Sequence, residues 1–217
     1  MSSDILIKII MIAIPLIFAI TMHEAAHGFI AKLRGDNTAY NLGRVSLNPI
    51  CHIDPLGTII IPGFMLLSSL TVGSPFIFGW AKPVPINYNN LKKPKLDMAF
   101  VAIAGPAANL FMAIMWAIVY QYVDIHIYIK SMALYGIFIN ITLMVLNLIP
   151  IPPLDGSRIV SLFLSDSASY KYNSIERYGF IILIILMIIQ IGNSSLLFSI
   201  ISPVINWLIH YIQLLCN

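Results

Sequence analysis

The chain has 217 residues, 59% of them hydrophobic and 10% charged, with a formal net charge of +3 and a mean hydropathy of +0.89. This balance excludes an ordinary water-soluble domain, and no basic stripe supports a nucleic-acid partner. Long uncharged stretches recur instead, which predicts an all-α polytopic membrane protein forming one membrane-embedded domain over 1–217.

The first helix is predicted over 4–33, closed by Gly35 as a C-cap. Residues 5–20 have a membrane-spanning composition interrupted only by Lys8. No small-residue cleavage site follows, so the helix reads as retained. Further along it runs Met22-His23-Glu24-Ala25-Ala26-His27-Gly28, an H-E-x-x-H pentad. Positions i and i+4 share one helix face, so His23 and His27 can offer two imidazoles to one metal ion. Glu24 is placed to take a proton from a water activated there. His23 precedes the helix end by about ten residues, or about 15 Å. The metal would therefore sit in the third of the membrane nearest that end. A chance cluster in a helix interface is the bland alternative, but it would bury three polar groups at a cost of roughly several kcal/mol.

From 38 to 48 the pattern shortens and alternates around Asn41-Leu42-Gly43. It predicts one or two short strands. The stretch 56–80 carries no charge, but Pro62-Gly63 and Gly73-Ser74-Pro75 divide it. It reads either as a span or as a re-entrant hairpin lining a cavity. A polar segment follows over 81–97. Spans are then predicted over 98–123, holding Gly105-Pro106-Ala107-Ala108-Asn109, and over 131–149, holding Asn140 and Asn147. Pro150-Ile151-Pro152-Pro153 must break the helix before Leu154-Asp155-Gly156. Helices over 178–191 and 195–215 read as accessory spans, the last kinked at Pro203. Cys51 and Cys216 read as unpaired thiols, and His52 as a solvated loop histidine rather than part of a second metal site.

A zinc site with two histidines needs a third protein ligand, and Asp155 is the best candidate. His27 and Asp155 both lie near the C-terminal ends of membrane helices. They can share a metal only if an even number of crossings separates them. The helices over 98–123 and 131–149 supply two, so 56–80 is predicted to be re-entrant. With that topology ten of the twelve Lys and Arg fall on one side and only Lys8 and Lys130 flank the other. That asymmetry predicts an active site towards the cytoplasmic side of the cell membrane.

Three runs of residues together resemble the site-2 proteases, the zinc intramembrane metalloproteases. They are His23-Glu24-Ala25-Ala26-His27, Gly105-Pro106-Ala107-Ala108-Asn109, and the run from Asn147 through Pro150 to Leu154-Asp155-Gly156. The stretches Gly43-Arg44-Val45-Ser46-Leu47-Asn48-Pro49 and Gly79-Trp80-Ala81-Lys82-Pro83-Val84-Pro85 resemble its compact bacterial branch, which lacks an inserted PDZ domain. The likeness covers roughly 5–165, a three-helix catalytic core, and leaves 178–215 as accessory helices. It implies one Zn2+ per chain held by His23, His27 and Asp155, with Glu24 as catalytic base. It also implies a metalloendopeptidase whose partners are the lipid bilayer and a membrane protein with a transmembrane helix. Asn147 matches a position that holds substrate backbone, and Asn109 the asparagine of the second core helix. Asn109, Asn140 and Asn147 are open to two readings, donors to an oxyanion or unwound substrate strand, or interhelical hydrogen bonds. The 38–48 strands would offer that substrate a pairing edge.

Two other functions compete. A metal-ion transporter would use the same His/Asp cluster along a pathway, but needs no Glu24 between its ligands. A proteolytically inactive scaffold would not need the complete ligand set.

Overall fold

The computed structural model describes residues 2–60, 81–122, 127–192 and 194–216. Helix α1 spans Ser2–Leu33. It ends as the sequence predicts. Gly35 takes a positive φ of 111°, Gly35 N–H donates to Lys32 O, and Asp36 N–H to Ala31 O. These two bonds form a Schellman closure, which satisfies carbonyls the helix leaves open.

The predicted strands at 38–48 are not formed. Thr38–Asn41 makes one helical turn, α2, and no strand follows before Pro49. Local side-chain bonds decide the outcome. Asp36 Oδ1 accepts from both the backbone N–H and the hydroxyl of Thr38, which closes a turn where a strand would need a partner. Without an edge at 38–48, pairing of substrate there loses its ground. Among the described residues the one strand pair joins Gln190–Ile191 (β1) to Ser194–Ser195 (β2), far along the chain. The re-entrant stretch expected over 56–80 begins as a turn at Pro55–Ile60 and beyond it lies outside the described residues. Its flanks come together, for Lys82 N–H donates to His52 O at 3.0 Å.

Helix α3 spans Pro94–Tyr122 and α4 Ile127–Asn147. Three shorter helices follow, α5 at Asp155–Phe163, α6 at Asp166–Asn173 and α7 at Glu176–Ile188. The last helix, α8, is Leu196–Cys216. Four helices among the described residues are long and apolar enough to cross a bilayer: Leu6–Leu33, Pro94–Tyr122, Ile127–Asn147 and Leu196–Leu214. The accessory span predicted over 178–191 is not among them. Its helix has 13 residues, about 20 Å against a hydrocarbon core of about 30 Å.

Helices α1, α3 and α4 pack against one another as the core, α5 packs on α3, and α8 closes the bundle over α4. Ala113 and Ala117 of α3, Ile137 and Ile141 of α4, and Ile201 and Ile205 of α8 form one buried cluster. Small residues on α3 let α4 approach closely, which is how helices associate where lipid removes the hydrophobic drive. Large apolar side chains such as Ile9, Phe18, Phe111 and Trp207 remain exposed, as a lipid-facing surface requires.

Asp36, fully buried, ties α1 to the 87–90 turn. Its carboxylate also accepts from Asn87 N–H at 2.7 Å and Asn90 Nδ2 at 2.9 Å. Burial pushes its carboxyl up, but the bonds from Thr38, Asn90 and Asn87 outweigh it and hold the group below the usual range. The stabilisation is therefore complete above the unfolded carboxylate value of about 3.9 and is lost as pH falls through the lower folded value. Asp36→Asn should cost about 1.5–3 kcal/mol at pH 7 and less at pH 3. Unfolding in detergent at the two pH values measures the difference, and an equal loss at both would contradict it.

Candidate metal centre

Three elements converge on the H-E-x-x-H face. Helix α1 presents His23 and His27 one turn apart. Their Nε2 atoms lie 3.0 Å from each other. Asp155, the first residue of α5, brings its Oδ2 to 3.2 Å from His23 Nε2 and 3.4 Å from His27 Nε2. Two local features of the sequence place it there. Pro150 to Pro153 breaks the chain after α4, and Gly156 allows α5 to start tight against the loop, since a Cβ at 156 would collide with the Leu148 carbonyl. An acidic side chain in the first helical turn is also favoured by the helix dipole.

Helix α3 makes room for the cluster. A Cβ on Gly105 would sit 2.5 Å from both His23 Cε1 and His27 Nε2. Pro106 follows, with no N–H to give the Ala102 carbonyl. One residue earlier, the Val101 carbonyl accepts from His27 Nδ1 at 2.7 Å. His23 Nδ1 meets Asn109 Oδ1 at 2.6 Å. Asn109 in turn donates from Nδ2 to Ala19 O at 3.2 Å and to Asn140 Oδ1 at 3.0 Å. Asn140 Nδ2 donates to Gly136 O at 2.8 Å.

This network fixes where the protons are. A backbone carbonyl only accepts, so His27 carries its proton on Nδ1. Asn140 and Asn109 both spend Nδ2 on carbonyl oxygens, so Asn109 turns its own oxygen to His23, whose Nδ1 must then donate. Both Nε2 atoms are left as lone pairs, facing each other and the Asp155 carboxylate. Asp155 Oδ2 is buried and has no hydrogen-bond partner among the described residues. Three electron-rich atoms within 3.4 Å of one another repel unless a cation sits among them. Ligands about 2.0–2.1 Å from zinc at tetrahedral angles lie about 3.4 Å apart, so the spacing and the donor set fit that ion. No other group of three His, Cys, Asp or Glu among the described residues has metal-binding spacing.

Glu24, next to His23 on the same helix, has a backbone partner of its own. Its Oε2 accepts from Val84 N–H at 2.9 Å, a contact the sequence reading did not foresee. The three asparagines are placed as follows. Asn109 and Asn140 are fully buried and bonded behind His23, with their N–H groups engaged. Asn147, the last residue of α4, is half-buried and donates back to Leu143 O at 2.9 Å. His52 is not solvated, and among the described residues it belongs to no second metal group. It is buried and its Nε2 bonds Ser46 O at 2.9 Å.

The sequence profile described as Peptidase family M50 matches residues 122–190, a range that includes the Asn147-to-Gly156 run but not the pentad. Similar proteins include the candidate zinc metalloprotease YwhC of Bacillus subtilis (strain 168). It is 38% identical over 193 residues, which are 84% of this chain and 82% of that protein. The candidate zinc metalloprotease Rip2 of Mycolicibacterium smegmatis is 27% identical over 79% of this chain and 64% of its own length. Rip2 of Mycobacterium tuberculosis (strain H37Rv) is 25% identical over 82% and 67% respectively. No solved structure matches the chain.

Proposed function

For a chain that belongs to peptidase family M50, the site-2 proteases, and so is a multi-pass zinc metalloprotease, we propose cleavage of a peptide bond within or near a transmembrane helix of another membrane protein. His23, His27 and Asp155 hold one zinc ion per chain, and Glu24 is the general base. The observation that carries this reading is the set of three proton-free donor atoms within 3.4 Å of one another, next in sequence to a carboxylate. When bound there, zinc supplies Lewis acidity, polarising the scissile carbonyl and lowering the pKa of water to about 7.

The chain's own residues supply the rest. Glu24 takes the proton from the attacking water and returns it to the leaving amine. A helical amide is hydrogen-bonded and shielded, so substrate must unwind locally to reach the site. Asn109 and Asn140 serve here as the frame behind His23 rather than as oxyanion donors. Asn147, half-buried at the end of α4, is the asparagine we assign to substrate.

The side of action follows from charge. The C-terminal end of α1 and the start of α3 meet where Lys92 N–H bonds Arg34 O. The start of α3 and the end of α5 meet where Lys95 bonds Leu164 O. Lys32, Arg34, Lys92, Lys93 and Lys95 gather at that end, and Lys8 and Lys130 lie at the other ends of their helices. By the excess of positive charge, the site opens towards the cytoplasm of a bacterial cell membrane.

Comparing membrane-protein N-termini in cells carrying wild type or Glu24→Gln tests the proposal. At least one single-span protein should accumulate uncut in the variant, which should still bind zinc. Metal transport that survives the substitution, with no cleavage in either strain, would favour the transporter instead.

A further inference from the structure

Two stretches marked by the sequence take no part in the chemistry above, the one around Arg44 and the one from Ala81 to Pro85. The fold brings them together against Glu24. Residues 81–87 form neither helix nor strand. Lys82 and Val84 each precede a proline, which biases them to extended backbone. Pro83 and Pro85 have fixed φ and no N–H. Val84 therefore carries the one N–H of the 83–85 run, and that N–H reaches Glu24 Oε2.

The neighbours of this amide are tied down. Lys82 N–H donates to His52 O at 3.0 Å. Arg44 Nη2 donates to Lys82 O at 2.7 Å and to Pro83 O at 3.4 Å. Arg44 is buried, 9% exposed, and Val84 is 8% exposed. The Val84 side chain is lodged against Gly28, where a Cβ would come within 3.2 Å of it and within 2.9 Å of Val45. One residue after His27, the bare backbone of α1 thus receives a valine from each stretch.

We propose that the Val84 amide is a positioning group for Glu24, and that Arg44 is the residue that holds it in place. The N–H captures one carboxylate oxygen, so Oε1 is the oxygen left for proton transfer. The base is oriented before substrate arrives, and no side-chain donor that can rotate away is used. This inference rests on the reading of Glu24 as the general base.

Residue-resolved hydrogen exchange on the full-length protein in nanodiscs tests it without needing substrate. Val84 N–H should be protected in wild type. Glu24→Ala should speed its exchange by about tenfold or more, with Lys82 N–H unchanged, whereas Glu24→Gln keeps an acceptor oxygen and should keep the protection. Arg44→Gln should also expose Val84. On a synthetic lysine-flanked Leu/Ala helix with a central Asn-Pro break, it should lower kcat about tenfold while KM and zinc content stay put. Equal Val84 exchange in wild type and Glu24→Ala overturns the proposal. So does an Arg44→Gln enzyme that exposes Val84 yet cuts at the wild-type rate. If no Glu24-dependent cleavage occurs at all, the protease reading fails, and that result is separate from the exchange result.

Discussion

Gly105→Ala should weaken zinc binding severely while leaving the helices folded. The added methyl would stand 2.5 Å from an atom of each imidazole and 2.6 Å from His23 Nε2. Carbon prefers such neighbours at about 3.5–4.0 Å, so both rings must move by about an ångström. They have little room to do so. Each is pinned from behind, His23 by Asn109 and His27 by the Val101 carbonyl, and α3 is packed on both α1 and α4. Metal ligands tolerate displacements of only about 0.2 Å. The overpacking itself costs about 1–3 kcal/mol, which a bundle of packed membrane helices can survive. Zinc affinity, by contrast, should fall on the order of 100-fold or more. Metal analysis and a chelator competition on the purified variant, with circular dichroism to report the helices, separate the two effects. Wild-type zinc affinity in Gly105→Ala would show that the imidazoles do not lie on this bare patch of α3.

Much of the site was readable because its chemistry is written in spacing. Two histidines four apart on an apolar helix must share a face, and a carboxylate after a proline-broken helix must lie near a membrane surface. The parity of crossings joined the two. Spacing says nothing about donors that come from backbone. The Val101 carbonyl and the Val84 amide carry no side-chain signature, although an N–H isolated between two prolines was a clue to the second. The reading of 38–48 as strand failed for a related reason. Alternation there was real, but one buried carboxylate, Asp36, gathers the nearby donors, and a strand would have needed a partner that the sequence could not show. The end of α7 was set too late because apolar composition continues past Ile188, through Ile189 and Ile191, into the small β1–β2 turn. His52 looked solvated because its stretch is a loop. In the fold that loop lies against α1, which buries it.

The asparagines give the second large effect, and it is graded. Asn109→Leu removes the acceptor that keeps the His23 proton on Nδ1. The imidazole is then free to place its proton on Nε2, the atom needed as a lone pair, and zinc affinity should drop by about 10–100-fold. Asn109→Asp retains an acceptor for His23, so it should hold zinc far better than the leucine variant. It loses the N–H groups that Ala19 O and Asn140 Oδ1 accept, so its cost appears in folding, at about 1–3 kcal/mol. Asn140→Leu acts one step further back. Asn109 would keep its bond to Ala19 O, so the orientation of its amide would be weakened rather than lost, and zinc binding should fall by less than in Asn109→Leu. Chelator competition measures the order, and 15N shifts of His23 in metal-free protein report the tautomer directly: Nδ1-protonated in wild type and mixed in Asn109→Leu. If the two leucine variants bound zinc equally, the chain from Gly136 through Asn140 and Asn109 would be packing alone. If Asn109→Leu bound it as tightly as wild type, His23 would need no help to keep its lone pair on the metal side.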